Sequence, residues 1–306
     1  MELIDFTPFS PNDRVYGGAS GAKIGIVYRG ENYLLKFPGS TKDSKGNPLK
    51  NGRLSYTNSP ICEYLGSHIY RSIGIPVHET LLGERKGKVV VACKDFLKTG
   101  DYLDEFNKIK TTFESPQAEN LSDGFGAELT DVLQVLDRHP ILQKTPGVKE
   151  RFWDMFIVDA FIGNGDRNNG NWGVIRHEGK ATVLAPVYDN GGCLNNKWDE
   201  IKMQQCLSDP EWMVAQAYNG VTCNYEKKGR RINPFHFLQN TDNPDCFSAL
   251  QRIAPKLRDQ QYKFEKLFDS VPVLSDTQRK FYKTMLRVRL EQALLPMYKR
   301  SFSLSR

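Results

Sequence analysis

The chain has 306 residues, 39% of them hydrophobic and 25% charged, with a formal net charge of +6 and an isoelectric point near 8.9. That composition fits one large or two modest globular domains and excludes a disordered or low-complexity protein. The positive excess is too mild to imply a nucleic-acid partner, and no apolar run approaches the roughly 18 residues of a membrane span.

The opening stretch MELIDFTPFS carries acids where a signal peptide needs a basic segment. The six cysteines form no CxxC pair, and Cys62 and Cys93 sit in apolar segments, so a reduced, cytoplasmic protein without structural zinc is expected, with export as an effector left open. Residues 23–28 and 33–37 read as two short strands around the turn RGEN, a hairpin. The polar loop SKGNPLKNGR follows. In TNSPICEYLGSHIYRSIG, Ile61, Leu65, Ile69 and Ile73 recur at four-residue steps behind Ser59 as N-cap and Pro60 at the first helical position, which predicts a helix ending at Gly74. VHETLLGE and VVVACKDF, around the turn RKGK, read as a second hairpin ending near residue 96.

Beyond residue 97 helical spacing takes over, at 127–138, 148–163, 247–268 and 275–298, and the only clear strands are 172–177 and 181–187. The predicted fold class is α+β: a small β-rich lobe over 1–97, a larger, mainly helical lobe over 98–306, and a ligand cleft between them. The basic clusters EKKGRR (226–231) and MYKRSFSLSR read as solvated surface: only Tyr225 lies beside the first, and no run of aromatics interleaves with the basic residues as a single-strand platform requires.

One loop is unusual: GNGDRNNGNWGVI, residues 163–175, holds an Asp, an Arg and four Asn. Asparagine suits turns in general. A tight loop here also points Asp166 and Asn171 into one hole, and the strand pair through the turn HEGK returns YDNGG, with Asp189, to the same end. An amide oxygen and aspartates form a hard-oxygen set suited to Mg²⁺. Phosphoryl transfer further needs donors for phosphates, a fixed cation and an acceptor for the attacking hydroxyl's proton. YGGASGAKIG places Gly17, Gly18, Ala19, Ser20 and Gly21 ahead of a strand, where backbone N–H groups can approach phosphate unobstructed. Lys36, in YLLKFP, reads as mid-strand between apolar neighbours and needs anionic partners; phosphate oxygens and Glu63 on the next helix are the candidates. Each piece alone is ordinary, since strand lysines mostly snorkel. Their order, Gly-rich loop, strand Lys, helix Glu, apolar strand into a linker, D-x4-N, hairpin, D-x-G, is that of the kinase signature set.

GGASGAKIGIVYRGENYLLKFP, FIVDAFIGNGDRNNGNWGV and LAPVYDN together resemble the bacterial HipA-like serine/threonine kinases, in particular their compact branch, over nearly the whole chain. VVVACKDF and DRNNGNWG are the most specific pieces. The resemblance implies a two-lobed protein-kinase-like fold, ATP and Mg²⁺ as cofactors, a protein substrate phosphorylated on Ser/Thr hydroxyls, with Tyr left open, and autophosphorylation. It implies Asp166 as catalytic base, Asn171 and Asp189 as Mg²⁺ ligands, Lys36 as the phosphate-binding lysine, and Lys94, Asp95 and Phe96 as the linker holding adenine through backbone groups. Residues 17–21, Glu63 and Asn168 complete the implied nucleotide site. There are departures. The toxins' small N-terminal subdomain has no counterpart, so an antitoxin docking there is not expected. The family's regulatory serine ahead of the Gly-rich loop is missing, Tyr16 and Ser20 being the nearest hydroxyls. Asn164 and Gly165 stand where eukaryotic kinases carry His-Arg, so activation-loop control of that Arg is not expected. GDRNNGNW followed by DNG also resembles type II phosphoinositide 4-kinases, which keeps a lipid kinase as the alternative. A nucleotide-binding pseudokinase is the third reading, and the presence of every catalytic group argues against it.

Overall fold

The computed structural model describes residues 1–14, 16, 22–40, 57–114 and 124–304. The expected phosphate loop, Gly17 to Gly21, and the polar loop at 44–53 lie outside the described residues. Five strands, β1 (Ile4–Asp5), β2 (Lys23–Tyr28), β3 (Glu31–Lys36), β4 (Thr80–Arg85) and β5 (Lys88–Lys94), form one sheet in the order β1-β4-β5-β3-β2. Both expected hairpins are present. Arg29-Gly30 and Lys86-Gly87 close them with positive φ at all four residues (51°, 79°, 49° and 73°), the turn geometry whose twist matches that of the flanking strands.

Helix α1 (Ser59–Ser72) lies between this sheet and the rest of the chain. Its Leu65 and Ile69, with Ile73 just beyond its end, share a core with Leu82, Val91 and Cys93. Val90 and Ala92 alternate to the other face, against Phe6, Ile26 and Leu35, as the two-residue period of a strand dictates. Asn58, not Ser59, is the N-cap residue, and it makes no side-chain cap. Its amide instead donates to Asn196 O at 2.8 Å, so this helix start is tied to a distant segment, and Ser59 bonds the Thr57 hydroxyl. Gly74, at φ +79°, ends the helix as expected.

The remainder is mainly helical. In chain order it comprises β6 (Asp101–Glu105), α2 (Phe106–Glu114), α3 (Leu129–Arg138), α4 (Pro140–Gln143), α5 (Val148–Ile162), β7 (Gly173–His177), β8 (Val183–Leu184), α6 (Glu200–Ser208), α7 (Pro210–Asn219), β9 (Glu226–Lys227), β10 (Arg230–Arg231), α8 (Pro234–Asn240), α9 (Pro244–Asp259), α10 (Gln261–Ser270), α11 (Asp276–Val288), a π-helical turn (Arg289–Leu294) and α12 (Leu295–Leu304). Helix α5 is its centre: apolar nearly all round, it is buried by its neighbours. The π-helical turn carries the buried Arg289, whose guanidinium donates to Phe161 O at 3.1 Å and Ala217 O at 3.2 Å. It thereby caps the carbonyl end of α5 just ahead of the loop at 163–171.

The sequence reading needs three corrections here. The strand expected at 181–187 shrinks to Val183–Leu184, and β6, β9 and β10 are additional strands. DYLDE is acidic, a composition disfavoured in strands, yet it pairs with β7 through Asp104–Arg176 at 2.7 Å and Asp101–His177 at 2.9 Å. The helical pattern at 247–268 breaks at Gln260, and that at 275–298 is interrupted by the π-helical turn.

Candidate active site

Between the sheet and the helical part lies a cavity of about 570 Å³, lined by Leu34, Cys93, the stretch from Lys94 to Asp101, Leu103 and Tyr188. Its size and apolar walls suit a planar heterocycle. Asp95 N is committed to Asn32 O at 2.9 Å and Leu97 N to Asp95 Oδ1 at 2.9 Å. The Phe96 backbone makes no hydrogen bond among the described residues, so it offers an unused donor and acceptor to the cavity. A second cavity, of about 660 Å³, is lined by Lys36, Glu63, Asp166, Asp189, Gly191, Gly192 and Lys197. Lys36 and Asp189 line both, which makes them two ends of one cleft.

Lys36 ends β3 rather than lying mid-strand, so its ammonium leaves the sheet toward the cleft. Nζ stands 2.9 Å from Glu63 Oε2 and 2.7 Å from Asp189 Oδ1. Burial alone would lower the pKa of this ammonium, but Glu63 and Asp189 outweigh it and raise the pKa well above the ordinary value. Glu63 is governed likewise: burial pushes its carboxyl up, and Lys36 with His78 more than reverses that. The Glu63 carboxylate also accepts from His78 Nε2 and Asn190 N at 2.9 Å and from Gly191 N at 3.1 Å. Glu63, His78 and Cys93 stand close enough together to suggest a metal site, but Glu63 already accepts four hydrogen bonds, so no lone pair is left for a metal.

In the amide-rich loop, Asp166 is exposed to the cleft. The crowding of the cleft walls raises its pKa, and the Asp189 carboxylate raises it further. Asn171 donates Nδ2 to Asp166 O at 2.8 Å. A carbonyl can only accept, so this bond fixes the amide orientation and leaves Asn171 Oδ1 unpaired. That oxygen and the Asp189 carboxylate fit Mg²⁺, a hard cation that takes few protein ligands. Asp189 already neutralises its charge on an ammonium, Lys36, and its backbone is left-handed at φ +63°. Asn168 serves the loop itself, accepting from Gly170 N at 2.8 Å and donating to Asp166 O at 3.3 Å. Gly192 lets the segments meet, because a Cβ there would lie 2.7 Å from Asp166 Cβ.

The sequence reading misses the anchor of this loop. Arg167 is buried, with Nε 2.9 Å from Asp159 Oδ2 and Nη2 2.6 Å from Asn190 Oδ1. Its Nη1 donates to Asn171 O at 2.9 Å and to Tyr188 O. Asp159 also accepts from Tyr70 OH at 2.8 Å and Asn164 Nδ2 at 3.1 Å. One ion pair thus joins α1, α5, the amide-rich loop and the segment carrying Asp189. The available signal was Asp159 itself, a charge inside FIVDAFI that burial obliges to find a partner.

A mixed sheet with one crossing helix, a lysine–glutamate pair between them and an aspartate-and-amide loop opposite define the protein-kinase-like class. The profile of the HipA-like C-terminal domain matches residues 16–204. The chain is 36% identical to the serine/threonine-protein kinase CtkA of Helicobacter pylori strain J99, over 100% of this chain and 90% of that protein. The crystal structure of the Helicobacter pylori proinflammatory kinase CtkA matches with a TM-score of 0.87 at 34% identity, over 99% of this chain and 100% of that one. HipA of Shewanella oneidensis MR-1, solved with HipB and its operator DNA, shares the fold at a TM-score of 0.53 and 13% identity, over 97% of this chain and 70% of HipA. The chain belongs to the HipA-like family, and it is an enzyme of the kinase class. No helix among the described residues is long and apolar enough to cross a membrane.

Proposed function

We propose that this kinase transfers the γ-phosphoryl group of ATP to serine or threonine hydroxyls of a protein, its own chain included. The observation that carries this reading is the meeting of Lys36, Glu63 and Asp189 on one wall of a cleft whose floor bears Asp166. Its relative CtkA, a serine/threonine-protein kinase, supports it. The hinge runs through Lys94–Gly100, dividing an N-lobe, 1–97, from a C-lobe, 98–306. In this assignment the backbone of Phe96 holds adenine, and Lys36, oriented by Glu63, holds phosphate. Asn171 and Asp189 hold Mg²⁺, which supplies charge neutralisation for the phosphates. Asp166 accepts the hydroxyl proton as the acceptor oxygen bonds to the γ-phosphorus and the bond to the β-phosphate oxygen breaks, ADP leaving with the electron pair.

Calorimetric titration with a non-hydrolysable ATP analogue at two Mg²⁺ concentrations, alongside phosphotransfer to protein, tyrosine-only peptide and phosphoinositide acceptors, tests the assignment. Asp166→Asn should bind Mg·nucleotide like wild type while turnover falls about 10²- to 10⁴-fold. Asp189→Asn should bind it less well and need more Mg²⁺. If the two behave in the opposite way, the roles are swapped; transfer to phosphoinositide alone overturns the protein-kinase reading.

A further inference from the structure

The transferred phosphoryl group gathers negative charge on its outer oxygens, so a kinase needs a cation facing Asp166 as well as one on the nucleotide's inner phosphates. The cations of this protein are unequally available for that task. Four lysines line the cavity that holds Asp166: Lys23, Lys36, Lys88 and Lys197. Lys36 is held by two carboxylates, and Lys23 and Lys88, both on the sheet, engage partners of their own. Arg167, next to Asp166 in sequence, turns its whole guanidinium inward. Lys197 alone among these is exposed on the Asp166 side with no ion pair or hydrogen bond among the described residues.

Its backbone, in contrast, is held firmly. Leu194 and Asn195 are both left-handed, at φ +52° and +53°, a conformation that residues with a Cβ keep only where the surroundings enforce it. The enforcement is visible: Leu194 N donates to Ile162 O at 2.9 Å, Asn58 N to Asn196 O at 2.8 Å and Asn196 Nδ2 to Gly191 O at 2.8 Å. On the other side Trp198 is buried against Phe281, ring centroids 5.5 Å apart. A side chain free at its tip and fixed at its root is arranged for a partner that arrives with the substrate.

We propose that Lys197 binds the γ-phosphoryl group during transfer, from the side opposite Lys36; this rests on the kinase reading given above. Both Lys197 and Asp166 line one cavity, so an ammonium there meets the group in transit where it leaves the nucleotide.

The test compares wild type, Lys197→Met, Lys197→Arg and the control Lys202→Met, a neighbour that lies over the Trp198 ring at 4.2 Å. Steady-state transfer is measured at varied ATP, with calorimetric binding of ADP alone and of ADP with aluminium fluoride, a mimic of the group in transit. Lys197→Met should lose about 10²-fold in kcat with little change in KM for ATP, keep wild-type ADP affinity and lose a comparable factor for the aluminium fluoride complex. Lys197→Arg should restore most of both, and Lys202→Met should match wild type. Wild-type kcat in Lys197→Met, or an equal loss of ADP and ADP·aluminium fluoride binding, overturns the assignment to Lys197 while wild-type turnover still upholds the kinase. A wild-type protein that transfers no phosphate to any acceptor overturns both.

Discussion

Two clusters of carboxylate and cation flank the cleft, and they are built in opposite ways. In the cluster of Lys36, Glu63 and Asp189, the Lys36 and Asp189 side chains are 18% and 40% exposed. In the cluster of Arg167 and Asp159 the two side chains are 3% and 5% exposed. The open cluster faces a cavity and holds an ammonium by two bonds, so its partners can change when a ligand enters. The sealed one occupies every guanidinium nitrogen with fixed protein oxygens and has no room for exchange. Similar charges thus serve as site in one place and as framework in the other, and burial decides which.

Breaking the sealed cluster should have the largest effect on stability. Arg167→Met leaves Asp159 charged, buried and short of its partner, a loss of about 3–5 kcal/mol, read by chemical denaturation. Lys36→Met should cost less, about 1–3 kcal/mol, because Glu63 keeps His78 and two amide donors, yet it should abolish phosphotransfer. Equal destabilisation by the two substitutions would erase the distinction drawn here.

The pH dependence sharpens it. The lowered pKa of Glu63 contributes stability above the carboxyl's ordinary value of 4.5, lost as pH falls through the folded value. The raised pKa of Lys36 contributes below the ordinary 10.5, lost as pH rises through its raised value. The stability difference between wild type and Lys36→Met should therefore stay level between pH 4.5 and 10.5 and narrow outside that window. The smallest effect belongs to Tyr70→Phe, which removes one of the hydrogen bonds to Asp159 and should cost about 1 kcal/mol in the same denaturation assay, with turnover nearly unchanged.

What could be read from the chain alone follows the same division. The two hairpins and α1 announce themselves through turn residues and four-residue spacing, because those signals are local. Lys36, Glu63, Asp166, Asn171 and Asp189 stand out by residue type and order, and the structure brings them to one cleft. Arg167 passed as one more polar residue of a loop, because its burial depends on Asp159, Asn190 and Tyr188 arriving from other segments. The N-cap shift from Ser59 to Asn58 has the same origin in Asn196, far along the chain. β6 was hidden by its acids, whose partners Arg176 and His177 lie on β7.

The π-helical turn has a consequence for timing. Arg289 seats the end of α5, directly before the amide-rich loop, from 128 residues further along the chain than Phe161. Synthesis runs from the N-terminus, and domains fold as their segments emerge, so every side chain assigned to ATP and Mg²⁺ leaves the ribosome while the footing of that loop is still missing. A translation product stalled before residue 289 carries the whole set of cleft residues and lacks the cation that seats Phe161 O, although Leu194 N already bonds Ile162 O. The residues of the cleft thus emerge whole before the turn through Leu294 adds the last contact at the end of α5.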